Sequence, residues 1–210
     1  MIDSDKLKKS LKLYLVTDSN LLKGRDFYKC IEDAIKSGVT MVQLREKEAD
    51  GKEFLEKAIK LRELTKKYNV ALIINDRIDI AMLCGADGVH VGQSDIDAVS
   101  VRKLIGQDKI IGVSVRTLEE AQRAKDNGAD YLGIGTMFST STKLDAKAVS
   151  FDTLSKIIDG VDIPFVLIGG INLNNVHKLN RFNPDGYALI SGILGVTNIV
   201  NRVKLWVNKI

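Results

Sequence analysis

A barrel of eight parallel strands wrapped by helices, (β/α)8, is the fold class that the sequence predicts, and three observations predict it. Short apolar runs alternate with amphipathic helical patterns from end to end, which implies right-handed crossovers and a parallel sheet. The runs are near-continuously apolar, as strands covered on both faces are. The polar residues with chemistry to offer collect at the C-terminal ends of those runs, where a parallel barrel keeps its site. Eight units in 210 residues place the chain at the short end of the TIM-barrel range. A doubly wound open sheet is the alternative.

In chain order the strands are expected at 13–17, 40–45, 71–75, 88–91, 110–114, 131–135, 165–169 and 186–190. The helices are expected at 27–37, 52–68, 77–83, 98–105, 118–127, 151–158 and 174–179, with a last one inside 197–207. A turn signal precedes every second strand. Ser37-Gly38-Val39, Gly85-Ala86-Asp87-Gly88 and Gly128-Ala129-Asp130-Tyr131 end helices in glycine, and Asn183-Pro184-Asp185-Gly186 is a looser version. Glycine at that point takes the left-handed conformation that closes a helix. The echo reads as repeated turn chemistry rather than as an old duplication. No linker or low-complexity tract interrupts the chain, so 1–210 is expected to be one domain. Residues 1–12 form an extension, with a short helix over 4–10 at the bottom of the barrel.

Composition narrows the function. Hydrophobic residues make up 45% and charged residues 28% of the chain, as in ordinary soluble globular proteins. The net charge of +4 is too small and too dispersed for nucleic acid but suits small anionic ligands. The two cysteines, Cys30 and Cys84, have no metal-ligand spacing and read as reduced thiols of a cytoplasmic protein. No stretch has signal-peptide or membrane-span character. A homo-oligomer is compatible with the sequence, which does not specify one.

The strand ends carry the chemistry. In Met41-Val42-Gln43-Leu44-Arg45-Glu46-Lys47, the side chains of Gln43, Arg45 and Lys47 share one side of an extended chain, and Val42, Leu44 and Glu46 the other. A buried cation without a partner costs several kcal/mol, on the order of 3–5. Either the strand stops early and these groups are solvated, or they hold an anion. Asp76, in Asn75-Asp76-Arg77, is either a helix N-cap or a metal ligand, with Asn75 facing the barrel mouth. Asp95, at the end of the stretch from His90 to Asp95, either caps a helix starting near Ile96 or forms a second carboxylate opposite Asp76. Two such carboxylates suit Mg2+, which takes one or two of them plus substrate phosphate oxygens. His90 is either a structural hydrogen-bonding residue or a ligand-facing one, and His177 reads as solvated.

Gly112, Gly133 and Gly135 share a parity with Ser114 or with one another and are expected to leave room for a flat ring. After the sixth strand, residues 136–147 contain Thr140, Ser141, Thr142 and Lys143, which read either as a plain loop or as a binder of phosphate oxygens. Small residues follow strands seven and eight, Ile168-Gly169-Gly170-Ile171 and Ile190-Ser191-Gly192-Ile193. Before a short extra helix they form the usual phosphate site of this barrel. There is no nucleophile with a base partner and no P-loop. Cations, two carboxylates and two phosphate sites point to metal-assisted chemistry on a diphosphate beside a second phosphorylated substrate.

Gln43-x-Arg45-x-Lys47, Asn75-Asp76-Arg77, His90 to Asp95, Gly112-x-Ser114, Thr140-x-Thr142-Lys143, Gly169-Gly170-Ile171 and Ile190-Ser191 together resemble the thiamine-phosphate synthase family. The resemblance runs from Tyr14 to the last helix. It implies condensation of 4-amino-2-methyl-5-hydroxymethylpyrimidine diphosphate with a thiazole phosphate, or its carboxylated form. Pyrophosphate is released and thiamine phosphate is made, by a Mg2+-assisted dissociative substitution. It implies Asp76 and Asp95 as metal ligands. The pyrimidine diphosphate would be bound by Gln43, Leu44, Arg45, Glu46, Lys47, Asn75, Ser114 and Lys143, of which Arg45, Lys47, Ser114 and Lys143 would be catalytic. The thiazole phosphate would be bound by Thr140, Ser141, Thr142, Gly170, Ile190 and Ser191.

The chain departs from the family in having Ser139 where proline is common and Ser150 where glycine usually precedes the next helix. A thiazole tautomerase-like relative would rely on a histidine shortly after strand five, where this chain has Val115-Arg116-Thr117. A non-catalytic regulator would have no need of Asp76 and Asp95.

Overall fold

A computed structural model of the chain describes residues 3–139 and 148–210. It closes eight parallel strands into a barrel in sequence order. The strands are β1 (Leu13–Val16), β2 (Met41–Leu44), β3 (Ala71–Asn75), β4 (Gly88–Val91), β5 (Ile110–Val115), β6 (Tyr131–Gly135), β7 (Phe165–Ile168) and β8 (Gly186–Leu189). Closure runs through β1 and β8, with Leu13 opposite Tyr187. Helices α1 (Ser4–Leu11), α2 (Phe27–Ser37), α3 (Gly51–Lys67), α4 (Ile78–Cys84), α5 (Ala98–Ile105), α6 (Leu118–Asp126) and α7 (Phe151–Gly160) follow the predicted pattern. A four-residue helix, α8 (Ser191–Leu194), and α9 (Ile199–Val207) end the chain.

The helix expected at 174–179 is instead two 3-10 turns, Val176–Lys178 and Asn180–Phe182. The asparagines ahead of it explain the difference. Asn175 Oδ1 accepts from Asn172 N and Asn172 Oδ1 accepts from Asn174 N, so local side-chain bonds compete with the helical ladder. His177 is exposed there.

Alternation along the strands splits the core in two. Leu13, Leu15, Val42, Leu44, Leu72 and Ile74 face the helices and join their apolar stripes. Tyr14, Val16, Met41, Ile73, Tyr131, Val166 and Ala188 fill the barrel. Leu7 and Leu11 of α1 belong to the inner cluster, so this helix closes the bottom. Its first turn is capped by Asp3, whose carboxylate accepts from Asp5 N and Lys6 N.

The turn echo has a structural meaning. The residue just before or at the start of each even strand clamps the start of the preceding odd strand twice. Thr40 donates its N–H to Leu13 O, and its Oγ1 accepts from Leu13 N. Asp87 does the same to Leu72, Asp130 to Ile111 and Asp185 to Phe165. The helices before them end as expected, with Gly85, Gly128 and Asn183 at φ 65°, 84° and 47°. Two of the clamps are charge-assisted, by Arg62 on Asp87 and Arg102 on Asp130. The bottom is thus a set of four like clasps, and the opposite end is left to chemistry.

Candidate active site

The C-terminal ends of the strands surround a cavity of about 500 Å3, within the usual range for small-molecule sites. Gln43, Arg45 and Lys47 line it, together with Asn75, Asp76, Asp95 and Ser114. The period-two reading of this stretch therefore holds beyond β2, and the cations point into the mouth.

The same alternation turns the side chains of two expected binders, Leu44 and Glu46, away from the mouth. Leu44 is fully buried in the helix-side core. Glu46 turns outward, where its Oε1 accepts from Lys57 Nζ at 2.9 Å and Ser19 Oγ at 2.7 Å. Lys57 also lies over the Phe27 ring, 4.7 Å from its centroid. Neither side chain lines the mouth. Glu46 is an anchor that ties the segment between Arg45 and Lys47 to α3.

The two carboxylates are not helix caps. The residue at the cap position of α4 is Arg77, with no side-chain capping bond, and α5 is capped by Asp97. Asp76 adopts a left-handed backbone, φ 63°, which aspartate tolerates better than most residues. Its N–H donates to His90 O at 2.9 Å. The Asp76 carboxyl lies close enough to that of Asp95 to feel its charge, and Asp95 Oδ2 accepts from Gly92 N at 2.6 Å. Burial, and then the negative charge of Asp95, push the Asp76 carboxyl up to about 6, against the pull of Lys47. Two crowded carboxylates with a raised affinity for positive charge fit a hard divalent cation that takes its other ligands from elsewhere.

His90 is both of the things expected of it. It is buried, hydrogen-bonded and part of the cavity lining. Nδ1 lies 2.9 Å from Tyr131 Oη and Nε2 lies 2.9 Å from Ser114 Oγ. Tyr131 Oη is 2.9 Å from Tyr14 Oη, which accepts from Gln43 Nε2 at 2.7 Å. Gln43, Tyr14, Tyr131, His90 and Ser114 form one chain across the floor of the mouth.

Gly112 explains how this fits. His90 is in register with Gly112, and Gly112 with Tyr131. A Cβ on Gly112 would stand 2.2 Å from the Tyr131 ring and 2.4 Å from His90 Nδ1. The space expected there for a substrate ring is therefore filled by the protein's own rings, while Gly133 and Gly135 do line the mouth.

On the opposite wall Gly170, Ile190 and Ser191 line the cavity where β7 and β8 end. A Cβ on Gly170, φ 65°, would meet Ser139 O at 2.5 Å. The end of α8 is held by Arg25. Its guanidinium donates to Leu194 O at 2.7 Å and Val196 O at 2.6 Å, and to Leu21 O and Leu22 O after β1. Arg116 adds a further cation to the lining. Ser150 caps α7 by accepting from Thr153 N. Thr140, Ser141, Thr142 and Lys143 lie outside the described residues.

Sequence reasoning missed Tyr14, Tyr131 and Arg25. The tyrosines sit inside apolar runs and read as core. The signal for them is that a buried phenol needs a partner and that a glycine stands beside Tyr131 on β5. Arg25 gave no signal, because its partners beyond its own loop are carbonyls some 170 residues away.

Comparison with known proteins adds to this geometry. The family model described as Thiamine monophosphate synthase matches residues 13–193. A thiamine-phosphate synthase from Clostridioides difficile is 67% identical over 210 residues, all of both chains. One from Clostridium acetobutylicum is 54% identical over 194 residues, 92% of each. Among solved structures, a thiamine phosphate pyrophosphorylase from Pyrococcus furiosus superimposes with a TM-score of 0.88 at 36% identity, covering 96% of both chains.

Proposed function

The chain belongs to the thiamine monophosphate synthase family, and from that premise we propose how its barrel mouth performs the reaction. The chain is a transferase that joins an aminopyrimidine methyl diphosphate to a thiazole phosphate, or to its carboxylated form, and releases pyrophosphate. The observation that carries the reading is the Asp76–Asp95 pair facing Arg45 and Lys47 across one cavity. Asp76 and Asp95 would hold Mg2+, which would supply neutralising charge to the leaving diphosphate. Arg45 and Lys47 neutralise the rest, and Lys143 joins them. Asn75, Gln43 and Ser114 hold the pyrimidine ring. Gly170, Ile190 and Ser191 receive the phosphate of the second substrate, with Thr140, Ser141 and Thr142.

No protein nucleophile is required. An electron-rich aminopyrimidine supports the methylene cation left when pyrophosphate departs, and the thiazole nitrogen captures it. The protein contributes position and electrostatics. We assign the whole chain to one domain acting in the cytoplasm on small phosphorylated substrates, without nucleic acid or membrane. No helix among the described residues is long and apolar enough to cross a membrane. The test is incubation of the purified protein with both substrates and Mg2+. Thiamine phosphate and pyrophosphate should appear in equal amounts, and the absence of both with every divalent metal tried would refute the assignment.

Two further outcomes follow from the site. Because the Asp76 carboxyl is raised to about 6, a proton competes with the metal below that pH. Mg2+ affinity should be flat above neutrality and fall about tenfold per pH unit below 6, as read by calorimetry across that range. Arg25→Lys keeps the charge but not the fork of donors. Losing one or two of its bonds to the α8 turn should raise KM for the thiazole phosphate about tenfold, with KM for the pyrimidine diphosphate unchanged.

A further inference from the structure

The chain of hydrogen bonds under the mouth has a direction, and the direction is set at one end. Gln43 Nε2 can only donate, so Tyr14 Oη accepts from it. The Tyr14 proton then goes to Tyr131 Oη, the other partner of that hydroxyl. The Tyr131 proton in turn goes to His90 Nδ1. An imidazole that accepts at Nδ1 is neutral and carries its proton on Nε2, so His90 donates to Ser114 Oγ. The Ser114 hydroxyl proton is thereby turned to the cavity that Ser114 lines. At the other end, Gln43 Oε1 has no partner among the described residues, yet no buried side-chain oxygen there is unsatisfied. That oxygen therefore opens on the cavity, which Gln43 also lines.

We infer that Tyr14, Tyr131 and His90 are positioning residues that fix the hydrogen-bond polarity of the pyrimidine pocket, making Ser114 a donor and Gln43 Oε1 an acceptor toward the ring. This rests on the pyrimidine reading above and deepens it. A 4-aminopyrimidine presents a ring nitrogen that accepts beside an exocyclic amine that donates. The 4-oxo form presents the reverse, an N–H beside a carbonyl. The relay matches the first and opposes the second, because a site built to pair one polar pattern leaves groups unpaired with the other. Tyr14 and Tyr131 act through Gln43 and His90, and Gly112 makes room for the Tyr131 and His90 rings.

The test reads the tautomer first. The chain has only two histidines, His90 and His177, so 15N-histidine labelling with His177→Gln for assignment isolates the signals of His90. At pH 8 without substrate, Nε2 should be the protonated nitrogen and Nδ1 the bare one. Gln43→Glu presents acceptors only, so Tyr14 must donate to it. The reversal then propagates to His90, where Nδ1 should become the protonated nitrogen. Tyr131→Phe keeps the ring but removes the link. It should release the tautomer preference and cut the preference in kcat/KM for the amino over the oxo pyrimidine diphosphate by about tenfold.

An Nδ1-protonated or doubly protonated His90 in the native protein would overturn the inference, and so would a tautomer indifferent to Gln43→Glu. Because the tautomer is measured without substrate, these results are separate from failure of the activity assay. Loss of activity with the expected tautomers would count against the function and not against the relay.

Discussion

Asp95→Ala is expected to lower Mg2+-dependent turnover by about a thousandfold or more while the protein stays folded. The separation follows from what Asp95 does not do. It caps no helix, since α5 is capped by Asp97. Its side chain accepts from the N–H of Gly92 and lies near the carboxyl of Asp76. Removing a carboxylate from a crowded pair relieves repulsion, which offsets the loss of the Gly92 bond. Circular dichroism melts should therefore agree within a few degrees between the two proteins, while single-turnover release of pyrophosphate collapses. Full activity in the variant would show that the metal is seated elsewhere.

Gly112→Ala should destabilise the protein from beneath the floor of the mouth. The new Cβ falls 2.2 Å from the Tyr131 ring and 2.4 Å from His90 Nδ1, and neither ring is free to step aside. Tyr131 is fully buried and bonded to Tyr14 and His90, and His90 is bonded to Ser114. Overpacking of this kind costs about 3 kcal/mol at the upper end of the usual range. In a chain of this size that lowers Tm by about 6–12 °C. Activity at a permissive temperature should fall as well, because the displaced rings carry Ser114 and Gln43 with them. A melt within about 2 °C of the native protein would mean that the strands give more easily than the register implies.

The barrel was legible because each strand is a short apolar run and each run is followed by a helical stripe. The misreading at 174–179 came from asparagines whose side chains bond their own backbone. In the site, the side chains at strand ends could be placed by parity alone, as for Gln43, Arg45 and Lys47. Asp76 and Asp95 could not be told from N-caps in the sequence, since capping and metal binding ask for the same residue type. The cap positions, held by Arg77 and Asp97, exclude the capping reading. Gly112 was read as space for a substrate because a sequence shows that a side chain is missing and not what occupies the place. Tyr14 and Tyr131 were hidden by their apolar surroundings, and Arg25 by partners distant in the chain. The relay from Gln43 to Ser114 draws on five strands, β1, β2, β4, β5 and β6, which no single stretch of sequence states.

The four clasps at the bottom of the barrel also bear on how the chain finds its fold. Their side-chain bonds join residues 27, 15, 19 and 20 positions apart. Loop-closure entropy grows so slowly with length that these four closures differ by only about 0.5 kcal/mol. Each pair of strands can therefore form without waiting for its neighbours, and no quarter is favoured as the nucleus by chain length alone. Closure between β8 and β1 has to span nearly the whole chain and comes late by the same reasoning. The boundary between the second and third quarters runs through exposed residues 106–108, at the end away from the mouth. A polypeptide opened there and joined through its original ends would keep all four clasps and every residue of the cavity, with the order of assembly changed and the chemistry left in place.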